Sequence, residues 1–221
     1  MKAIVSLCRK NQPFFLFFLA WVILGGLLIV TIGKEHLFLG INHTHNLVLD
    51  YFFTGYTYVG DATPFILVLL FLLWKRRFHD FLPGVAIIVL MGILVQVVKH
   101  RYHSPRPIVY FDHSPIVHTI SWVHVHGSNS FPSGHTACAF SLCCFAAMLL
   151  PNKKLGATLF FAALLVGYSR IYLAQHFFED VYIGSILGTV CAMLVAWLFA
   201  YIRIRQAAPA TEPAPELVPE I

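Results

Sequence analysis

Six apolar stretches, none carrying Asp, Glu, Lys or Arg, dominate the chain: Phe14–Ile32, Ala62–Trp74, Leu82–Val98, Thr136–Leu150, Leu155–Tyr168 and Val181–Ile202. A helix that crosses a bilayer needs about 20 mostly apolar residues, and in hydrocarbon only helices and closed barrels satisfy their own backbone. These runs do not alternate apolar with polar residues, so they read as helices. The second and fifth are short and are expected to recruit neighbours such as Tyr56–Gly60 and Ser169–Arg170. Composition agrees: 58% of the 221 residues are hydrophobic and only 11% are charged, against roughly 25% charged in a soluble domain. The expected fold is all-α, a polytopic membrane protein of six transmembrane helices forming one domain over residues 1–205. Leu47–Val59, with Tyr51, Phe52, Phe53, Tyr56 and Tyr58, suits a helix lying in the outer membrane interface. Asp61, just ahead of the second run, is expected to cap it.

The basic residues orient the spans, because Lys and Arg in short loops favour the cytoplasmic side. With six spans both termini share a side. That side collects Lys2, Arg9, Lys10, Lys75, Arg76, Arg77, Lys153, Lys154, Arg203 and Arg205, ten of the 15 basic residues. The net charge of +5 is therefore a topological signal, and no nucleic-acid partner is expected. The basic start before Phe14–Ile32 is like a signal peptide, but no small-x-small site precedes Lys34–Glu35, so an uncleaved membrane helix is expected. All five Cys lie in spans or at the cytoplasmic start, which indicates no disulfide framework. Gln206–Ile221, rich in Ala, Pro and Glu, reads as a disordered cytoplasmic tail.

Three polar clusters fall on the opposite, outer side: Lys99-His-Arg-Tyr-His-Ser-Pro-Arg106-Pro107, then Pro132-Ser133-Gly134-His135, then Ser169-Arg170-x5-His176-x3-Asp180. Each suits a phosphoryl group. Lys99, Arg106 and Arg170 supply three cations, and the Arg fork matches phosphate oxygens. Ser133 reads as an N-cap, leaving the amides of Gly134 and His135 as free helix-start donors aimed at an anion. His176 and Asp180, four apart, would face each other on a helix, so that Asp180 accepts from one ring nitrogen and leaves the other as a nucleophile. Singly these features have plainer readings. Lys99 or Arg101 alone is an interfacial anchor, Pro132–Gly134 a loop entering a capped helix, and His176–Asp180 a structural hydrogen bond. A match such as Pro-Ser-Gly-His arises by chance in roughly one chain in a thousand, and all three clusters in order on one face make coincidence negligible.

Lys99-x6-Arg106-Pro107, Pro132-Ser133-Gly134-His135 and Ser169-Arg170-x5-His176-x3-Asp180 together resemble the three motifs of the type-2 phosphatidic acid phosphatase family. That family includes bacterial and eukaryotic lipid phosphate phosphatases and shares its site with soluble vanadium haloperoxidases. The resemblance implies a membrane lipid phosphatase that works through a phosphohistidine on His176. In it Asp180 orients the nucleophile and His135 is the general acid and base. Lys99, Arg106, Ser133, Gly134 and Arg170 hold the phosphate oxygens, with no metal or other cofactor. It implies a lipid phosphate as substrate, either a monoester or a pyrophosphate: undecaprenyl pyrophosphate, phosphatidylglycerol phosphate, phosphatidic acid or a lipid A phosphate. A bacterial inner membrane with the site facing the periplasm is the expected setting. Oligomeric state is not legible.

Two other functions stay open at this point. An acceptor lipid that intercepts the phosphohistidine would make the protein a phosphotransferase, and a basic cluster without catalysis would make it an anion transporter. The pairs His43-x-His45 and His124-x-His126 have a spacing that Zn²⁺ could use, although lining a headgroup-facing loop is the simpler reading. Tyr110–Phe131 is the loop expected to select the headgroup, and Leu47–Val59 is either one wall of a lipid-tail portal or packing beneath a span.

Overall fold

A computed structural model describes residues 8–207, apart from the side chains of positions 204 and 207. The expected disordered tail lies outside the described residues from position 208 onward, while Gln206 and Ala207 continue the last helix. The described residues form helices, turns and loops without a strand. In chain order the helices are α1 (Gln12–Ile32), α2 (Lys34–Asn42), α3 (Leu47–Tyr56), a 3₁₀ turn (Thr57–Gly60), α4 (Ala62–Trp74), α5 (Phe78–Tyr102), the single turn α6 (Pro107–Tyr110), α7 (Gly134–Leu149), α8 (Leu155–Tyr172) and α9 (Phe178–Ala207).

All six apolar runs are helical. Four of the helices, α1, α5, α8 and α9, are long and apolar enough to cross a membrane. A fifth crossing exists if α3, the 3₁₀ turn and α4 form one span, broken by a bend of 48°. At 16 residues, α7 is about 24 Å long, short of the hydrocarbon core of about 30 Å. The exposed faces agree with a lipid surround: Leu16, Leu19, Ile23, Leu24, Leu27 and Val30 all project outward from α1.

The core is built around α7. Most of its side chains are buried, and they are small or aromatic: Ala137, Cys138, Ala139, Phe140, Cys143, Cys144 and Phe145. Small residues let membrane helices approach closely where no water drives association. On α9 this is explicit, since a Cβ at Gly184 would sit 2.6 Å from the Ser133 carbonyl oxygen and one at Gly188 would sit 2.1 Å from that of Ala137. The helix start that carries Ser133, Gly134 and His135 is thus locked against α9. Polar pairs tie α1 to α9 as well: Trp21 Nε1 donates to Ser185 Oγ at 2.8 Å and Tyr182 OH to the Val22 carbonyl at 2.9 Å.

The region ahead of α4 is more structured than the sequence suggests. An additional helix, α2, follows Gly33, whose φ of +82° turns the chain. The interfacial segment forms α3, capped by Asn46, whose side chain accepts from the Leu49 amide at 3.0 Å. It packs on the end of α8: Phe53 meets the Tyr172 ring at 4.6 Å, and Tyr172 OH donates to Asp50 Oδ1 at 2.6 Å. Asn42 bonds the Tyr172 carbonyl and both backbone groups of His118, which fixes the outer loop over this end.

Candidate active site

A cavity of about 560 Å³ opens where the C-terminal ends of α5 and α8 meet the N-terminal end of α7. Lys99, Arg106, Gly134, His135, Arg170 and His176 line it together, although they come from three stretches far apart in sequence. Helix α5 continues past the apolar run to Tyr102, so Lys99 stands on its last turn, and its Nζ donates to the Asn129 carbonyl at 2.7 Å. Arg106 is extended ahead of Pro107, as expected. Its guanidinium donates to Gln175 Oε1 at 2.5 Å and to the Ser128 carbonyl at 3.0 Å. Arg170, buried on α8, donates to Thr57 Oγ1 at 2.7 Å while its buried Nε has no partner among the described residues. A buried donor left unpaired is costly, and a phosphate oxygen would satisfy it. Arg101 is exposed on the far face of α5 and does not line the cavity.

His176 does not sit in a helix. After Tyr172 the chain turns through Ala174, at a φ of +55°, and the Gln175 and His176 amides both donate back to the Arg170 carbonyl. Asp180 lies in the first turn of α9, where Oδ2 accepts from the Phe177 amide at 2.8 Å, the backward reach of a capping carboxylate. The same Oδ2 is 3.4 Å from His176 Nδ1 and accepts from Ser130 Oγ at 2.5 Å. The two side chains therefore face each other as expected, through a turn and a helix start rather than along one helix. With Nδ1 given to Asp180, Nε2 is left for the cavity. His176 is 2% exposed, and burial holds its pKa down to about 3, against the smaller opposing pull of Asp180. At neutral pH the ring is an uncharged lone-pair donor.

Ser133 is the N-cap of α7, with its hydroxyl beside the Thr136 amide at 3.4 Å and Thr136 Oγ1 at 2.8 Å. That hydroxyl is committed to the cap and fully buried, so Ser133 stands behind the cavity and Gly134 lines it. Asp61 departs from expectation. It occupies the N-cap position of α4 but makes no side-chain cap, because its Oδ1 is 2.7 Å from His135 Nε2.

Sequence reasoning missed Ser130, Thr57, Gln175 and this use of Asp61. Gln175 joins the site to the outer loop, since its Nε2 donates to the His124 carbonyl at 2.9 Å. His124 and His126 line the cavity, their ring centroids 4.7 Å apart. Burial, and then the positive Arg106 and its neighbours, lowers the pKa of His126. His43 and His45 are not brought to one ligand position: His43 Nε2 donates to the Ile116 carbonyl, and His45 stacks on His118 at 3.6 Å. Among the described residues no group of three His, Cys, Asp or Glu side chains is arranged to hold a metal ion.

Comparison with known proteins places this geometry. Residues 80–204 match the PAP2 superfamily, a span that contains all three motifs and more than half of the chain. The chain belongs to the PAP2 superfamily. Undecaprenyl-diphosphatase BcrC of Bacillus subtilis is 34% identical over 165 residues, covering 72% of this chain and 77% of that one. Lipid A 4'-phosphatase of Porphyromonas gingivalis is 29% identical, covering 78% and 75%. Among solved structures, Aquifex aeolicus LpxE superposes with a TM-score of 0.64 at 31% identity, over 74% of this chain and 94% of that one. The transmembrane PAP2-type phosphatidylglycerolphosphate phosphatase of Bacillus subtilis gives 0.61 at 28% identity, over 91% and 98%. This PAP2 protein is thus an all-helical relative of bacterial membrane phosphatases.

Proposed function

We propose that this protein is an integral-membrane lipid phosphatase that cleaves a phosphate monoester or pyrophosphate on a lipid through a phosphohistidine intermediate. The observation that carries the reading is the convergence of His176, His135, Lys99, Arg106 and Arg170 on one cavity. In the first half-reaction His176 Nε2 attacks phosphorus, and the bond to the lipid oxygen breaks as His135 donates a proton to it. Asp180 holds Nδ1 and offsets the charge that develops on the ring. In the second half-reaction His135 takes a proton from water, which attacks phosphorus and releases inorganic phosphate and His176. Lys99, Arg106, Arg170 and the Gly134 amide stabilise the equatorial oxygens. Ser133 acts by capping the helix that presents that amide. No step is routed through a metal or cofactor.

We infer six spans with α3 at the outer interface, the cavity at headgroup depth on the periplasmic face of a bacterial membrane and both termini in the cytoplasm. The basic loops support this orientation. There a lipid phosphate meets water while its chains stay in hydrocarbon, with Thr54 of α3 and Tyr58 of the 3₁₀ turn on the cavity wall.

A lipid pyrophosphate is the substrate class best supported. The cavity exceeds what one phosphoryl group fills, and His124 and His126 add two imidazoles to its wall beyond the three cations. The similarity to an undecaprenyl-diphosphatase points the same way. Purified protein offered a panel of lipid phosphates is expected to release phosphate fastest, by kcat/KM, from the prenyl pyrophosphate. Equal or faster release from any single-phosphate lipid contradicts this choice of substrate, and release from none contradicts the phosphatase reading.

Anion binding should also carry a proton signature. Both imidazoles enter neutral, since burial lowers both pKa values to about 3. A dianion beside them raises those values, so binding of phosphate or vanadate near pH 7.5 takes up as much as about one proton. Calorimetry in buffers of different ionisation enthalpy measures this, and a binding heat independent of buffer contradicts it.

A further inference from the structure

Resting on the phosphatase reading, we propose that Asp61 is the positioning residue of the acid–base imidazole: its carboxylate binds His135 Nε2 and provides the counter-charge that lets this ring hold the proton it delivers to the leaving lipid.

Contact and packing both support the pairing. Asp61 Oδ1 lies 2.7 Å from His135 Nε2. The carboxylate forgoes the helix cap that its position offers. The neighbouring backbone is pressed onto the same histidine: a Cβ at Gly60 would lie 2.9 Å from the His135 carbonyl oxygen and 3.0 Å from its Cβ. From α7, Cys138 Sγ donates to the Asp61 carbonyl at 3.3 Å. Residues 57–61 thus form one short clamp, with Thr57 on Arg170 at one end and Asp61 on His135 at the other.

Charge explains why such a partner is needed. Lys99 from α5, Arg106 from the following loop and Arg170 from α8 surround the cavity into which His135 projects, together with His176, His124 and His126. Three cations disfavour a fourth positive charge on His135, and Asp180 is engaged on the far side by His176, Ser130 and the Phe177 amide. Asp61 is the carboxylate that lines the cavity beside His135. The site therefore contains two Asp–His pairs of opposite character. The His176–Asp180 side chains are 2% and 5% exposed, whereas those of His135 and Asp61 are 32% and 35% exposed. The nucleophile pair is sealed, and the acid–base pair meets the water with which it must exchange protons.

The proton count closes. With Asp61 ionised throughout and holding Nε2–H, the proton leaves from Nδ1 to the departing oxygen as the phosphorus–oxygen bond breaks. The same nitrogen recovers it from the water that cleaves the phosphorus–nitrogen bond.

Leaving-group chemistry tests the assignment. Asp61→Asn is expected to slow release from a lipid phosphate monoester, whose alkoxide must be protonated, by about 10²-fold. It should slow release from a nitrophenyl phosphate, whose leaving group departs unprotonated, at least about tenfold less. Removing the counter-charge also moves the basic limb of kcat against pH to lower pH, because the imidazolium loses its proton sooner. Asp61→Glu, which keeps the charge, restores part of the lipid turnover and the position of the limb. Equal losses on both substrates in both variants assign Asp61 a structural role and overturn the proposal, as does an unchanged profile in Asp61→Asn. Failure of the underlying reading is seen separately, as phosphate release that persists in His176→Ala.

Discussion

His176→Ala is expected to abolish phosphate release from a lipid phosphate, by about 10⁴-fold or more, while leaving the protein folded. The magnitude follows from deleting the attacking atom, which positioning and electrostatic stabilisation by the remaining residues do not replace. Folding should survive because the imidazole borders an existing cavity and lies in a turn held by its own backbone, through the Gln175 and His176 amides on the Arg170 carbonyl. Phosphate release measured beside thermal unfolding in detergent separates the two effects. Full turnover in the folded variant would remove His176 as the nucleophile and contradict the phosphohistidine mechanism.

Gly188→Ala should produce the largest stability loss of any single-methyl change in the membrane core. The new Cβ would lie 2.1 Å from the Ala137 carbonyl oxygen, a backbone atom in a fully buried turn of α7. Helices α7 and α9 must separate, at a cost of about 3 kcal/mol, which lowers the melting temperature by about 6–12 °C. Because α7 begins with Gly134 and His135, the same shift should reduce turnover. Gly92→Ala on α5, where an added Cβ meets nothing within 4 Å, serves as the control and should change neither property. A Gly188→Ala protein with unaltered melting and activity would contradict the close packing from which the site is built.

Much of the site was legible because phosphoryl chemistry demands particular residue types at fixed spacings. Lys99, Arg106, Gly134, His135, Arg170 and His176 are all found on one cavity wall. Asp180 is found against His176, as its spacing suggested. The misreadings share a physical origin. Asp61 opens an apolar helix, where a cap is the local expectation, and its actual partner lies far along the chain and is invisible to local pattern. Ser130 and Gln175 are small or neutral polar residues whose importance comes only from the contacts that the loop and turn impose. Ser133 was recognised as a cap, yet that same role spends its hydroxyl. In the fold, every apolar run is a helix, since a helix alone pairs its backbone within one segment where water is absent. Helix α2 was missed because Lys34–Asn42 mixes polar ends with a short apolar centre that follows a left-handed glycine. Helix length is also a weaker guide to span number than hydropathy suggests, as the brevity of α7 and the bend before α4 illustrate.

Capture of the covalent intermediate probes the core of the account more directly than any substitution. Protein mixed with a lipid carrying a radiolabelled terminal phosphate, then quenched within a turnover, is predicted to hold an acid-labile, alkali-stable label on the peptide that contains His176. That label should vanish in His176→Ala and discharge as inorganic phosphate when turnover continues. Rapid phosphate release with no label at His176, or with stable label on another side chain, would contradict it.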